Sequence, residues 1–268
     1  MQHQLLSELK SRDNMSKLNR LMIILLGLML LSSICYGQSA DSDNAPKKVV
    51  LDNGLTILVK SEPGSNLVAV TSMVKVGASE ETIMNAGIGN FVSHLLLAST
   101  YNSSADKIAA IADSVGGNIT SKWNPDYSQL SAVTTSSMFA ETISLMAECL
   151  MQADFDKSWV EKTRSELLRS MHNGSEPPFD QAYGKLRELL YEDNGYRRPV
   201  YGIERVVRTV SAEDLRRFHS TYYVPNNTVV AVVGDVTLEQ AVERVKLAFA
   251  GWVPRELPRR LPIPDETI

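Results

Sequence analysis

Cysteine and histidine are scarce in this sequence, with two and four residues respectively. Cys35 lies in an amino-terminal segment that reads as removable, which leaves Cys149 alone and excludes an intramolecular disulfide. Cys149 falls in an apolar helical stretch, where a lone cysteine packs rather than reacts. Basic charge is also short: Lys and Arg number 27 against 31 Asp and Glu, which excludes nucleic-acid binding by charge. No phosphate loop, dinucleotide fingerprint or Ser or Cys nucleophile motif is present. Long apolar runs are limited to one, over residues 21–31, and its flanks decide what it is.

Lys17 and Arg20 give that run a positive entry, and residues 32–40 give it a polar, small-residue exit. This is the layout of an export signal over 1–40, with cleavage after Gly37 or Ala40. A spanning helix needs about 20 apolar residues, so an uncleaved membrane anchor is the alternative. Residues 1–14 are polar, and Met15 opens a conventional signal, so translation can start there. Removing residues 1–37 takes away Lys10, Arg12, Lys17 and Arg20 but only Glu8 and Asp13, which moves the net charge from −4 to −6. The mature remainder is long enough for one well-buried domain over 41–253. The stretch 254–268, with Pro254, Pro258, Pro262 and Pro264 among arginines, reads as a linker or tail.

Within the domain, β-rich runs at 47–52 and 55–60 flank Asn53-Gly54, the strongest short hairpin signal. A third run covers 67–76. From Gly87 the period becomes helical: Phe91, Val92, Leu95 and Leu96 share one stripe, which predicts a helix over 88–98. A helix over 104–114 follows, then Gly116-Gly117, then strands over 118–123 and 127–133. Helices are predicted over 137–151, 157–171, 179–191 and 212–222, the last with Ser211 as N-cap and Asp214 three residues on. A strand over 228–233 and a helix over 238–249 complete the domain. The order predicts an α+β fold, a largely antiparallel sheet with helices packed on one face.

Several landmarks then occur in a recognisable order: Leu51-Asp-Asn-Gly-Leu-Thr, Gly87-Ile-Gly-Asn-Phe-Val-Ser-His, Gly116-Gly, Tyr196-Arg-Arg-Pro-Val-Tyr-Gly and Val233-Gly-Asp. Together they resemble the amino-terminal domain of the insulinase/pitrilysin-type zinc peptidases, across nearly the whole mature chain. In that family a helical His-x-x-Glu-His supplies two zinc ligands and a base, and a Glu about 76 residues further on supplies the third ligand. Residues four apart share a helical face, so two imidazoles can grip one zinc while the intervening Glu polarises its water. The resemblance puts Asn90, Ser93 and His94 at the motif positions and Ser170 at the third. One imidazole without a carboxylate is a poor holder of catalytic zinc.

The resemblance therefore implies a non-catalytic homologue with no cofactor, in which Asn90, Ser93 and His94 form a polar cluster in the former pocket. Its function would be that of a partner or peptide-binding subunit in an exported metallopeptidase complex, most naturally in a bacterial periplasm. Family members receive peptide along an edge strand after the Gly-Gly pair, here Ile119, Thr120, Ser121 and Lys122. A second domain of the same type, or an active peptidase subunit, would be the partner. The alternatives are a divergent zinc metalloendopeptidase with a shifted ligand set, His94, Glu166 and His172, or a stand-alone binding module.

Overall fold

The computed structural model describes residues 45–114, 119–172, 178–191 and 195–259. The predicted export signal, Gly116, Gly117 and Asn118, and the end of the predicted tail lie outside them. Among the described residues, no helix is long and apolar enough to cross a membrane.

Strands β1 (Lys47–Val50) and β2 (Thr56–Ser61) pair antiparallel as the Asn53-Gly54 signal predicts. Their loop is longer than a two-residue turn. Gly54 N–H donates to Leu51 O (2.8 Å) and Leu51 N–H to Leu55 O (2.9 Å). Positive φ is confined to Gly54, at 86°. Asn53 is engaged elsewhere: its Nδ2 donates to Trp252 O and its Oδ1 accepts from Leu55 N–H, both at 3.2 Å. The turn thus fastens the far end of the chain.

Strand β3 (Leu67–Val74), helices α1 (Ile88–Leu95) and α2 (Ala105–Ser114), and strands β4 (Thr120–Trp123) and β5 (Ser128–Thr135) follow. Next come helices α3 (Phe139–Met151), α4 (Lys157–His172), α5 (Pro178–Leu190), α6 (Glu204–Thr209) and α7 (Ala212–Tyr222), then strand β6 (Thr228–Gly234) and helix α8 (Leu238–Ala248). Periodicity missed α6, whose six residues are too few to show a stripe. It also ran some elements long: β1 stops at Val50, β3 at Val74 and α1 at Leu95.

The six strands order as β1-β2-β6-β3-β5-β4. Four neighbouring pairs are antiparallel and one, β2 with β6, is parallel. Register places Ile57, Val230, Ser72 and Leu130 in one row and Val59, Val232, Val70 and Ala132 in the next, all buried. Helices α1, α3 and α8 pack against β4, β5 and β2 respectively. Each fully buried Leu, Ile or Phe of this layer contributes about 2 kcal/mol. Alternate side chains form the second face of the sheet, where Val50, Leu67, Val133 and Val233 are exposed. Cys149 is buried on α3, and burial pushes its thiol up to about 12, consistent with packing.

Candidate functional site

Helix α1 carries three of the positions singled out in the sequence, and its start is built in an unusual way. Gly87 stands at the N-cap with φ 106° and offers no side chain. The cap comes instead from Glu81, six residues back. Its carboxylate accepts Gly87 N–H at 2.7 Å and Gly89 N–H at 2.8 Å. Two otherwise orphaned donors of the helix end are satisfied, and an acidic group sits at the positive end of the helix dipole. Glu81 is only 3 % exposed. Burial raises its pKa to about 7, against the opposing pull of the two N–H bonds and of Arg198. The Arg198 guanidinium also donates to the Glu81 main-chain oxygen. Sequence patterning gave no warning of Glu81, because nothing in a loop glutamate reveals which helix it will cap.

The same turn explains the Tyr196-to-Gly202 landmark. Gly202, with φ 95°, lies back to back with Gly87, and a Cβ on it would stand 2.2 Å from the Gly87 Cα. Ile203 N–H donates to Ala86 O at 3.0 Å. On the other side of α1, the Trp123 ring lies over Gly89, where a Cβ would meet Cη2 at 2.1 Å. Helix, edge strand and the 198–203 segment are thus locked through three glycines.

The sequence positions can now be placed. Ser93 is buried, and its hydroxyl shares a 2.7 Å hydrogen bond with the hydroxyl of Ser121 on β4. Asn90 points elsewhere, its Nδ2 donating to Tyr201 O at 3.4 Å. His94 is exposed at its edge, yet crowding lowers its pKa, opposed by the Glu166 carboxylate across on α4. The expected polar cluster of Asn90, Ser93 and His94 is corrected accordingly: their partners lie on three different segments, because successive turns of α1 face different neighbours. Ser170 is exposed on α4.

Of the shifted set, Glu166 acts on His94 through its charge, while His172 is engaged elsewhere. The His172 Nδ1 lies 2.9 Å from Leu168 O, and its Nε2 lies 3.8 Å from Glu204 Oε1. Among the described residues, no three His, Cys, Asp or Glu side chains converge as metal ligands would. Helix α4 is held beside α1 by Arg164, which donates to Val207 O and, at 2.8 Å, to Val210 O while covering the Phe91 ring.

Among the described residues, strand β4 lies at the sheet edge and pairs with β5 alone. Ser121 and Trp123 face α1, and Thr120 and Lys122 are exposed. Ile119 is half-buried at its entrance, packed on the core.

This arrangement has counterparts. The insulinase pattern (peptidase family M16) matches residues 56–203, and the pattern of the M16 inactive domain matches residues 209–268. An uncharacterized zinc protease of Rickettsia bellii is 24 % identical over 206 residues, 77 % of this chain and 50 % of the relative. One of Mycobacterium tuberculosis is 28 % identical over 211 residues, 79 % and 48 %. The chain spans about half the length of the curated relatives it matches. A protease from Helicobacter pylori superposes with TM-score 0.75 at 23 % identity, covering 82 % of this chain and 53 % of that one. The periplasmic protease PqqL from Escherichia coli gives 0.76 at 19 %, covering 83 % and 25 %. With the pattern covering more than half of its residues and the fold shared over 82 % of it with the Helicobacter pylori protease, this chain belongs to the insulinase family of peptidases, M16.

Proposed function

We propose that the chain is a non-catalytic member of its family, acting as a partner or peptide-binding subunit of an exported metallopeptidase complex. The observation that carries this reading is the Ser93–Ser121 hydrogen bond at 2.7 Å. Where the family keeps its glutamate base, this chain has a buried hydroxyl already joined to the edge strand. A serine hydroxyl stays protonated near neutral pH and cannot take a proton from metal-bound water. The remaining donors do not fit a hydrolytic zinc either. Asn90 offers an amide whose nitrogen is bonded to Tyr201 O, Ser170 brings no charge, and His94 supplies one imidazole where two and a carboxylate are needed.

Peptide would add to the free side of β4, over Ile119, Thr120, Ser121 and Lys122, by main-chain hydrogen bonds. A related fold supports the idea of a protein ligand: a ferredoxin protease has been crystallised with Arabidopsis ferredoxin (TM-score 0.71). The partner would be a second M16 domain or an active M16 subunit, and the signal over 1–40 would send the protein to the periplasm.

One observation favours a second reading, a divergent zinc endopeptidase: the Glu166 carboxylate stands close enough to His94 to act on its pKa. Zinc analysis after purification without chelators separates the two. The non-catalytic reading expects zinc far below one per chain and no chelator-sensitive cleavage of a long peptide. Stoichiometric zinc with such cleavage would establish the enzyme instead.

A further inference from the structure

Beyond helix α8 the chain runs back over the body as a segment without regular structure, and two asparagines of the body fix its backbone. Asn53 Nδ2 donates to Trp252 O at 3.2 Å. The Asn226 amide takes both main-chain groups of Arg255, its Nδ2 donating to Arg255 O at 2.8 Å and its Oδ1 accepting Arg255 N–H at 3.2 Å. Trp252 is anchored as well, stacked on Phe249 at 5.3 Å. Between this segment and the ends of α3 and α7 lies a cavity of about 260 Å³. At about 30 Å³ per liquid water it has room for roughly nine waters, and it is smaller than drug-sized sites of about 300–1,000 Å³. Its natural occupant is on the scale of one amino acid.

The polar groups lining the cavity are unmatched in a definite pattern. His219 is 8 % exposed, with Tyr223 stacked on its ring at 4.8 Å and Phe155 edge-on at 5.4 Å. Its Nε2 lies 2.9 Å from Leu150 O. A carbonyl only accepts, so the ring proton is on Nε2 and Nδ1 keeps a lone pair. Burial holds the imidazole neutral, its pKa driven down to about 4. Among the described residues Nδ1 has no partner. Gln152 is in the opposite state: its Oε1 accepts from Asn102 Nδ2, which leaves the Nε2 donors unpartnered among the same residues. Ser220 uses its hydroxyl proton on Arg217 O at 3.1 Å and can only accept further bonds. The Arg255 guanidinium makes no ion pair or hydrogen bond among the described residues, and no Asp or Glu of that set lines the cavity. Met151, Val224 and Trp252 supply apolar wall.

One cation with an amide donor, two acceptors and an apolar wall are the complement of a small zwitterion that carries an apolar side chain. We infer that this cavity binds a free amino acid of that kind: carboxylate on Arg255 and the Gln152 amide, ammonium on His219 Nδ1 and Ser220 Oγ, side chain against Met151, Val224 and Trp252. The site is separate from the α1 positions, so the inference holds for a catalytic or a non-catalytic chain. An occupant that touches Arg255 and His219 together also ties the carboxy-terminal segment to the body. Exchange of the Arg255 N–H, already bonded to Asn226, should slow when the site is filled.

Isothermal titration of the purified full chain with L-leucine and with L-methionine tests it. One molecule per chain should bind saturably. Two analogues, 4-methylpentanoate without the ammonium and 3-methylbutylamine without the carboxylate, should bind about tenfold more weakly or worse. Arg255→Gln removes the cation, and Gln152→Glu keeps an acceptor for Asn102 but puts a negative charge where the carboxylate would sit. Each should weaken L-leucine about tenfold or more. Arg255 is exposed, so its variant carries the test if Gln152→Glu does not fold. The His219 Nδ1 nuclear magnetic resonance should also move as L-leucine binds. Absence of saturable binding by both amino acids would overturn the inference. So would binding indifferent to Arg255→Gln, or binding that leaves the His219 Nδ1 resonance in place.

Discussion

Glu81 and His219 are buried side chains whose protons are displaced in opposite directions, and the pair makes stability legible through pH. Burial holds Glu81 at about 7, against an ordinary 4.5, so between those values the folded chain keeps a proton that the unfolded chain has lost. Its contribution therefore falls as pH rises through that window. His219, stacked on Tyr223 and with Nε2 2.9 Å from Leu150 O, is driven down to about 4 from 6.5. There the unfolded chain holds the extra proton, and stability rises with pH. Each effect is at most about 3 kcal/mol. They offset one another between about 4.5 and 6.5, where the denaturant midpoint should be nearly flat. In Glu81→Gln only the His219 slope remains, so the midpoint should climb with pH over the same range. Parallel profiles for the two proteins would refute the assignment. Gly202 makes a second prediction at this scale. Gly202→Ala places a Cβ on the Gly87 backbone at positive φ and should cost about 2–4 kcal/mol in chemical denaturation.

Among the elements, the ends of helices show what a sequence reveals and what it conceals. Ser211 with Asp214 was readable as a cap, and the reciprocal bonds are there: Asp214 N–H to Ser211 Oγ and Ser211 N–H to Asp214 Oδ2, both at 3.1 Å. Ser211→Ala should lower stability by about 1 kcal/mol. Thr237 and Gln240 form the same motif at α8, with a spacing equally present in the sequence. The cap of α1 was not readable, since its carboxylate lies outside the local four-residue pattern and reaches Gly87 through a turn of the chain. Contact between α1 and β4 was hidden for the same reason. Ser93 and Ser121 are 28 residues apart, and neither residue type signals the other. A double-mutant cycle with Ser93→Ala and Ser121→Ala should return a coupling of about 1 kcal/mol. A value near zero would mean that the hydroxyl pair does not join helix to strand.

At the scale of the whole molecule, one face of the sheet is buried under helices, and on the other Val50, Leu67, Val133 and Val233 are exposed. The sequence by itself determined the strands, most of the helices, the shared fold and which residues stand at positions 90, 93, 94 and 170. These follow from local period, turn chemistry and ordered landmarks, all of which are written along the chain. Tertiary structure alone decided that β2 and β6 run parallel, that Glu81 seals α1, that Asn90, Ser93 and His94 face different partners, and that His172 faces Glu204. Each of these is a meeting of residues distant in sequence. Such meetings are set by how apolar faces and backbone donors are satisfied together, which no local window contains.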